Sequence, residues 1–315
     1  MMFAVSMLIA LVIDAAIGWP DALYRRLGHP VTWIGALIAR LETRWNRAGT
    51  GRKWRGVATF AVVVAAAALP AYAITLALPD GWIGAVVAGV LAWPLVAARA
   101  MYTHVAAVAR PLEAGDLGAA RRAVSMIVGR DPAQLDSAGI ARAALESLAE
   151  NTSDGIIAPL FWGAILGLPG IAAYKAINTL DSMIGHKTPR YQDFGWFSAR
   201  ADDWVNLIPA RLTGVLFALT SAHPLRALRT MRRDARAHRS PNAGWPEAAM
   251  AGALNIRLSG PRVYENDVAQ EPWLNGGARD PSCADIGAGL RLYIRALALM
   301  AALMAALLAC ASVLA

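Results

Sequence analysis

The fold is decided by GVATFAVVVAAAALPAYAITLALPDGWIGAVVAGVLAWPLVAA, residues 56–98. Residues 56–78 carry no charged side chain and are rich in Ala and Val. About twenty apolar residues are needed to cross the hydrocarbon of a bilayer, so this run reads as a transmembrane helix. Pro79-Asp80-Gly81 is a turn signal, and the apolar run 82–98 beyond it brings the chain back as a helical hairpin. Two more spans are expected outward from this pair: residues 3–18, which are short and carry Asp14, and residues 292–315 at the end. The expected fold is all-α, a polytopic helical membrane protein with cytoplasmic helical loops, forming a single integral membrane domain over 1–315.

Composition agrees. Of 315 residues, 57% are hydrophobic and only 17% charged, whereas a soluble domain carries about 25% charge. The surplus apolar surface calls for lipid as a second solvent. Cys283 and Cys310 are the only cysteines and lack metal spacing, which excludes a disulfide framework or a cysteine-based metal site. The N-terminus has neither a basic region nor a small-x-small pattern before Trp19, so it reads as a retained segment.

The net charge of +8 is almost entirely arginine, with lysine only at Lys53, Lys175 and Lys187. The arginines cluster beside apolar runs, which favours anionic lipid over nucleic acid as a partner. Residues 19–55 hold Arg25, Arg26, Arg40, Arg44, Arg47, Arg52, Lys53 and Arg55, and residues 221–291 hold a second run from Arg226 to Arg239. The positive-inside rule places both in the cytoplasm of a bacterium, on the inner membrane. The hairpin then returns residues 99–155 to the same side. There Asp131-Pro132 marks a helix start, with helical apolar spacing up to Leu148. Two apolar stretches stay ambiguous. Residues 156–173 are broken by Pro159, Pro169 and glycines, and residues 205–220 contain Asn206, Pro209 and Arg211. Both must cross or both must fail to cross; one alone would export the second arginine cluster. The remaining polar segment, 174–204, is expected in the cytoplasm.

Two clusters could carry chemistry. Glu150-Asn151-Thr152-Ser153-Asp154-Gly155 sets carboxylates four apart beside hydroxyl and amide oxygens. That suits Mg²⁺, which takes one or two carboxylates and leaves room for waters and phosphates. Spacing alone favours the other reading, a helix C-terminus followed by a polar turn and an N-cap. The second cluster runs from Tyr174 to Arg211. Lys175, Asn178, Asp181 and Ser182 fall close to one helical face, followed by His186, Lys187, Arg190, Tyr191, Arg200, Asp202, Asp203, Asn206 and Arg211. Polar groups beside an apolar environment are costly unless they serve a site; the other reading is an interfacial loop anchored by Tyr191, Phe194, Trp196, Phe197 and Trp204. His29, in Gly28-His29-Pro30, reads as structural by itself. Asp14, an intramembrane carboxylate, is a functional candidate unless it sits at headgroup level near Trp19. Gly185-His186-Lys187-Thr188 lacks the paired glycines of a Walker loop, and no strand–GxGxxG–helix pattern occurs.

These residues resemble the CobD/CbiB family from end to end. The resemblance is carried by Asp14 with Gly18-Trp19-Pro20; by Gly28-His29-Pro30-Val31 with Ile34-Gly35; and by Glu150 to Gly155. It continues through Tyr174 to Lys187, Arg190-Tyr191 with Phe194-Gly195, and Ala201-Asp202-Asp203 through Asn206 to Ile208-Pro209-Ala210-Arg211. The pattern departs at Leu258-Ser259-Gly260-Pro261, where Ser259 replaces a glycine and Arg262 adds a charge. The resemblance implies an adenosylcobinamide-phosphate synthase of cobalamin biosynthesis, an ATP-dependent acid–amine ligase. It would join the free propionate of adenosylcobyric acid to (R)-1-amino-2-propanol or its O-phosphate.

Implied with it are ATP and Mg²⁺, a corrinoid and an amino alcohol (phosphate) as substrates, and association as a homo-oligomer or with other corrinoid-pathway enzymes. The implied metal ligands are Glu150, Asp154 and Asp181. Lys175, Lys187 and Arg200 would meet phosphates, and Asp202 or Asp203 would act as base or second metal ligand. Asp14, His29, Asn151, Asn178, Ser182, His186, Arg190, Tyr191, Asn206 and Arg211 complete the expected substrate surface. A common site for both clusters implies that 156–173, and hence 205–220, re-enter or pack as buried helix. Two other readings stand beside this one: a non-enzymatic membrane sensor of the AmpE type, which predicts degraded acid and lysine positions, and a small transporter, which predicts inverted repeats that the sequence lacks.

Overall fold

The computed structural model describes residues 2–129, 131–264 and 267–313. In chain order the helices are α1 Met2–Ile17, α2 Asp21–Leu27, α3 Pro30–Trp45, α4 Arg52–Ala77, α5 Trp82–Ala92, α6 Ala98–Glu113 and α7 Leu117–Ser125. There follow α8 Ser137–Thr152, α9 Ala158–Ile184, α10 Trp196–Val205, α11 Leu207–Thr220, α12 Pro224–Asp234, α13 Gly244–Leu254 and α14 Cys283–Val313. The chain is an all-α polytopic membrane protein. Among the described residues four helical stretches are long and apolar enough to cross a membrane, or five if the bent pair Met2–Ile17 and Asp21–Trp45 counts as one span.

The expected run 56–78 lies within α4. The run 82–98 is not one helix: Pro94 sits in a 3₁₀ turn, Trp93–Leu95, that separates α5 from α6. Residues 314 and 315 of the last apolar run lie outside the described residues.

Two compact units divide the chain. The first comprises Met1–Ala97, Ala158–Asn206 and Leu303–Ala315. Its centre is α9, packed by α1, α3, α4, α5 and α10. Ile38 of α3, Val63 of α4, Ala176, Leu180 and Ile184 of α9, and Phe194 form its buried apolar cluster.

Within α9, Gly167 adopts φ 70° and ψ −153°, open only to glycine. A Cβ built on Gly163 would stand 3.3 Å from the Ile171 Cβ, and one on Gly170 would strike the Trp162 carbonyl oxygen. In a straight helix, residues eight apart are separated by about 12 Å. The two arms of α9 therefore fold back on each other, and residues 158–184 form a helical hairpin rather than one straight span.

The second unit comprises Ala98–Ile157 and Leu207–Ala302. α11, α12 and α13 pack together, and α6, α7 and α8 form a second group. Asp136 caps α8 through the Gly139 N–H at 2.7 Å, and Asp116 caps α7 through the Ala119 N–H at 2.8 Å. Within 221–285, expected as helices and loops, two short antiparallel strand pairs also occur: β1 Leu258–Ser259 with β4 Trp273–Leu274, and β2 Arg262–Tyr264 with β3 Asp267–Ala269. Two- and three-residue strands are too short to show the alternation by which a strand is read.

Candidate active site

The second arm of α9 and the whole of α10 bring most of the second polar cluster together in the first unit. Asp202, buried on α10, is the pivot. Its Oδ2 accepts from the Asn206 amide at 3.0 Å, one helical turn on, and its Oδ1 from the Asn178 amide of α9 at 3.4 Å. The Asn206 carbonyl oxygen accepts from the Tyr174 hydroxyl at 2.9 Å. The end of α10 is further tied to the first arm of α9, where the Trp162 indole donates to the Val205 carbonyl at 2.9 Å.

Burial and the neighbouring Asp181 carboxylate push the Asp202 carboxyl up to about 7, against the two amide hydrogen bonds that favour its charged form. Burial also raises Asp203, while Arg200 and Lys187 beside it pull the other way. Asp181 lies within electrostatic reach of Asp202, Asp203 and His186. Three carboxylates, two long cations and a histidine therefore share one neighbourhood. Asp202 is the carboxyl poised to gain or lose a proton near neutrality.

Lys175, buried on the same arm, bears electrostatically on His29. His29 is the N-cap of α3: its Nδ1 accepts from the Val31 N–H at 3.2 Å while the Thr32 hydroxyl accepts from the His29 N–H at 3.2 Å. Its ring meets Trp19 edge-on with centroids 5.4 Å apart, and Trp19 lies against Trp93. Asp14 is buried in α1, the helix that Gly18 terminates ahead of Trp19. Ser182, exposed, turns its hydroxyl back to the Asn178 carbonyl at 2.9 Å.

Residues 185–195, joining α9 to α10, carry His186 and Lys187. They are held by a residue that sequence reading did not single out. Glu42 of α3 is buried and accepts two hydrogen bonds from Arg190, at 3.0 and 2.9 Å. Asn46 donates to Glu42 at 2.9 Å, and Arg52 reaches Asn46 and the carbonyls of Pro189 and Arg190. Arg190 thus fastens the segment to α3, and Tyr191 lies beneath its guanidinium, 5.5 Å from the ring centre. Nothing in the sequence marked Glu42, a single acid in an otherwise basic helix. Tyr174 opens the second cluster and the stretch that carries the resemblance, but periodicity gives its hydroxyl no role.

Glu150, Asn151, Asp154 and Arg211 belong to the second unit. The alternative reading of 150–155 as a helix end with a turn is overturned. α8 runs directly into a π-helical turn, Ser153–Ile157, of the kind frequent at functional sites. Thr152 and Asn151 hydrogen-bond to the carbonyls of Leu148 and Ser147, the i−4 pattern of a continuing helix. Glu150 is exposed, Asp154 is half-buried, and the buried Ser153 Oγ has no hydrogen-bond partner among the described residues. Arg211 stacks 4.3 Å from the Trp245 ring centre and donates to the Leu207 carbonyl at 2.6 Å. Ser259 lies at φ 60°, a left-handed conformation natural to glycine.

Among the described residues, no group of three or more His, Cys, Asp or Glu side chains is arranged as a metal-ion cage. Comparison with known proteins identifies the lineage. The family described as "CobD/Cbib protein" matches residues 7–293. The chain belongs to the CobD/CbiB family. It is 67% identical over 298 residues to a cobalamin biosynthesis protein CobD of Rhodobacter capsulatus, covering 95% of each chain. It is 46% identical over 310 residues to the protein of that name from Brucella anthropi, covering 95% and 94% of the two chains. The corresponding figures for the protein from Sinorhizobium fredii are 45% over 311 residues, 96% and 95%. No solved structure matches.

Proposed function

We propose that this protein acts in cobalamin biosynthesis as an ATP-dependent ligase on the cytoplasmic side of the bacterial inner membrane. It would form the amide between the free propionate of adenosylcobyric acid and (R)-1-amino-2-propanol or its O-phosphate. Membership of a family whose curated relatives are cobalamin biosynthesis proteins supports the pathway. The observation that carries the chemistry is the Asp202 carboxyl, raised to about 7 among Asp181, Asp203, Lys187 and Arg200.

Amide formation needs an activated acyl group and an amine that sheds a proton as it attacks. ATP would supply the activation: a propionate oxygen takes the γ-phosphoryl group and ADP leaves, giving an acyl phosphate, and phosphate leaves when the amine nitrogen bonds to the acyl carbon. Asp202 takes the proton lost by that nitrogen, since a base titrating near the working pH serves this step best. Lys187 and Arg200 meet the phosphate charge as it develops, and Lys175 does the same from α9. Mg²⁺ is held by one or two carboxylates together with waters and phosphate oxygens rather than by an all-protein cage. Within the first unit Asp181 and Asp203, which feel each other electrostatically, would offer the carboxylates for such a site, and within the second unit Glu150 and Asp154 would offer another. Bound there, the ion would neutralise phosphate charge.

The test is an assay of purified protein with ATP, cobyric acid and the amine. ATP should be consumed only when both other substrates are present, and Lys175→Ala and Asp154→Ala should each slow amidation at least 100-fold. Near wild-type rates for both variants would remove these assignments. Labelling of a cysteine at position 188 by an impermeant reagent added outside intact cells would overturn the cytoplasmic placement.

A further inference from the structure

α3 carries a stripe that the ligase reading does not use. Trp33, Leu37, Arg40 and Arg44 follow the a/d spacing that keeps side chains on one helix face, and Arg47 continues the line just past the helix end. The upper half of the stripe is apolar and the lower half basic.

The apolar half opens onto a groove of about 440 Å³. On α4 it is lined by Ala66, Ala67, Pro70 and Ala71 between Val63 and Ile74, on α3 by Trp33 and Leu37, and on α9 by Leu168. Pro70 also deprives the Ala66 carbonyl of its helical donor within this lining. Directly below, Arg40, Arg44 and Arg47 line a surface recess. All three are exposed, and none has a carboxylate within ion-pair distance among the described residues. Leu37 and Arg40 are three residues apart, about 4.5 Å along the helix. An apolar slot inside a transmembrane unit, about one helical turn along α3 from cations without a carboxylate partner, matches a molecule with a tail and an anionic head.

We propose that this groove and these arginines form one binding site for an anionic phospholipid, with an acyl chain along α4 and the phosphate on Arg40 and Arg44. Free phosphate would have no use for the groove, and a zwitterionic lipid brings its own cation beside the phosphate, so it gains less from the guanidinium groups than an anionic one.

The experiment is a binding titration of the detergent-purified full chain by native mass spectrometry. The probes are dioleoylphosphatidylglycerol, dioleoylphosphatidylcholine with identical tails, and glycerol 3-phosphate as the head alone. Phosphatidylglycerol should bind at least 10-fold more tightly than phosphatidylcholine, and glycerol 3-phosphate should not compete with it. Arg40→Gln and Arg44→Gln should each weaken phosphatidylglycerol by about 5-fold, the loss of about 1 kcal/mol of attraction per cation, and leave phosphatidylcholine unchanged. Ala66→Leu, which fills the groove, should weaken both lipids alike. Equal affinity for the two lipids, effective competition by glycerol 3-phosphate, or unchanged phosphatidylglycerol binding in the arginine variants would overturn the proposal.

Discussion

Asn206 donates its amide to Asp202 at 3.0 Å while its carbonyl oxygen is taken by the Tyr174 hydroxyl at 2.9 Å. The phenol occupies the acceptor end of the amide, so the NH₂ end must face the carboxylate. A buried tyrosine on one helix thereby sets the hydrogen bonding of an aspartate on another. The amide bond favours the charged carboxylate, and burial together with Asp181 favours the neutral one; the balance leaves Asp202 at about 7.

Removing the donor tips that balance. In Asn206→Leu, Asp202 loses a hydrogen bond that favours its ionised form, so its pKa rises above about 7. If Asp202 works as the base, activity declines as pH falls through its pKa, and the acid limb of the pH–rate profile should move to higher pH in the variant. Tyr174→Phe should move it the same way by less, since the amide stays but is freed to turn. Profiles that superimpose on the wild type would remove Asp202 from the base role.

The same carboxyl makes stability depend on pH. Its folded pKa of about 7 lies above the ordinary 3.8, so the folded state holds a proton that the unfolded state has released between those values. The contribution is fully favourable below pH 3.8 and is lost as pH rises through 7. Asp202→Asn, neutral at every pH, should therefore melt several degrees above the wild type at pH 8 and close to it at pH 4.5, while losing amidation activity. Thermal melts at the two pH values decide it, and a variant less stable at pH 8 would contradict the assignment.

Glu42 lies on α3, yet it holds the segment that presents Lys187. In Glu42→Gln the charge-assisted pair with Arg190 is lost, although a neutral hydrogen bond can remain. Arg190 is mostly exposed, so global stability should fall only slightly. Local order should suffer more: the amides of Tyr191 and Gln192, which donate to the Thr188 carbonyl, should exchange hydrogen at least 10-fold faster, and kcat should fall while helices α4 and α9 keep their protection. Unchanged exchange in that segment would show that Glu42 does not fasten it.

The large features of the fold were legible because they follow from bulk hydrophobicity. The charge-free run in α4 needs nothing but lipid to explain it. The hairpin in α9 was only half legible. Pro169 and the glycines of 156–173 announce a break, but reversal depends on one glycine at φ 70° and on Gly163 and Gly170 allowing the arms to touch, which are contacts across space. Likewise, the spacing of Lys175, Asn178 and Asp181 puts them near one face of α9, whereas the convergence of Asp202 onto Asn178 depends on how α10 packs. Glu42 could not be foreseen at all. Its partner lies 148 positions further along the chain, and a lone acid has no periodicity to betray it.

Ser259 offers a test of local backbone strain. A non-glycine residue at φ 60° is strained by about 1–2 kcal/mol. Its Oγ is also buried with no hydrogen-bond partner among the described residues, a second cost. What the position contributes comes from its backbone: the Ser259 N–H donates to Glu146 Oε1 at 2.7 Å and gives that buried carboxylate a partner. Glycine keeps this N–H, relieves the strain and removes the stranded hydroxyl, at the cost of about 0.5–1 kcal/mol in chain entropy. Ser259→Gly should therefore stabilise the protein by about 1 kcal/mol, raising the melting temperature by a few degrees. Ser259→Pro, which cannot adopt positive φ and deletes the N–H, should leave Glu146 buried without that donor and lower it sharply. A glycine variant that melts below the wild type would mean that the serine hydroxyl has a use that its surroundings do not reveal.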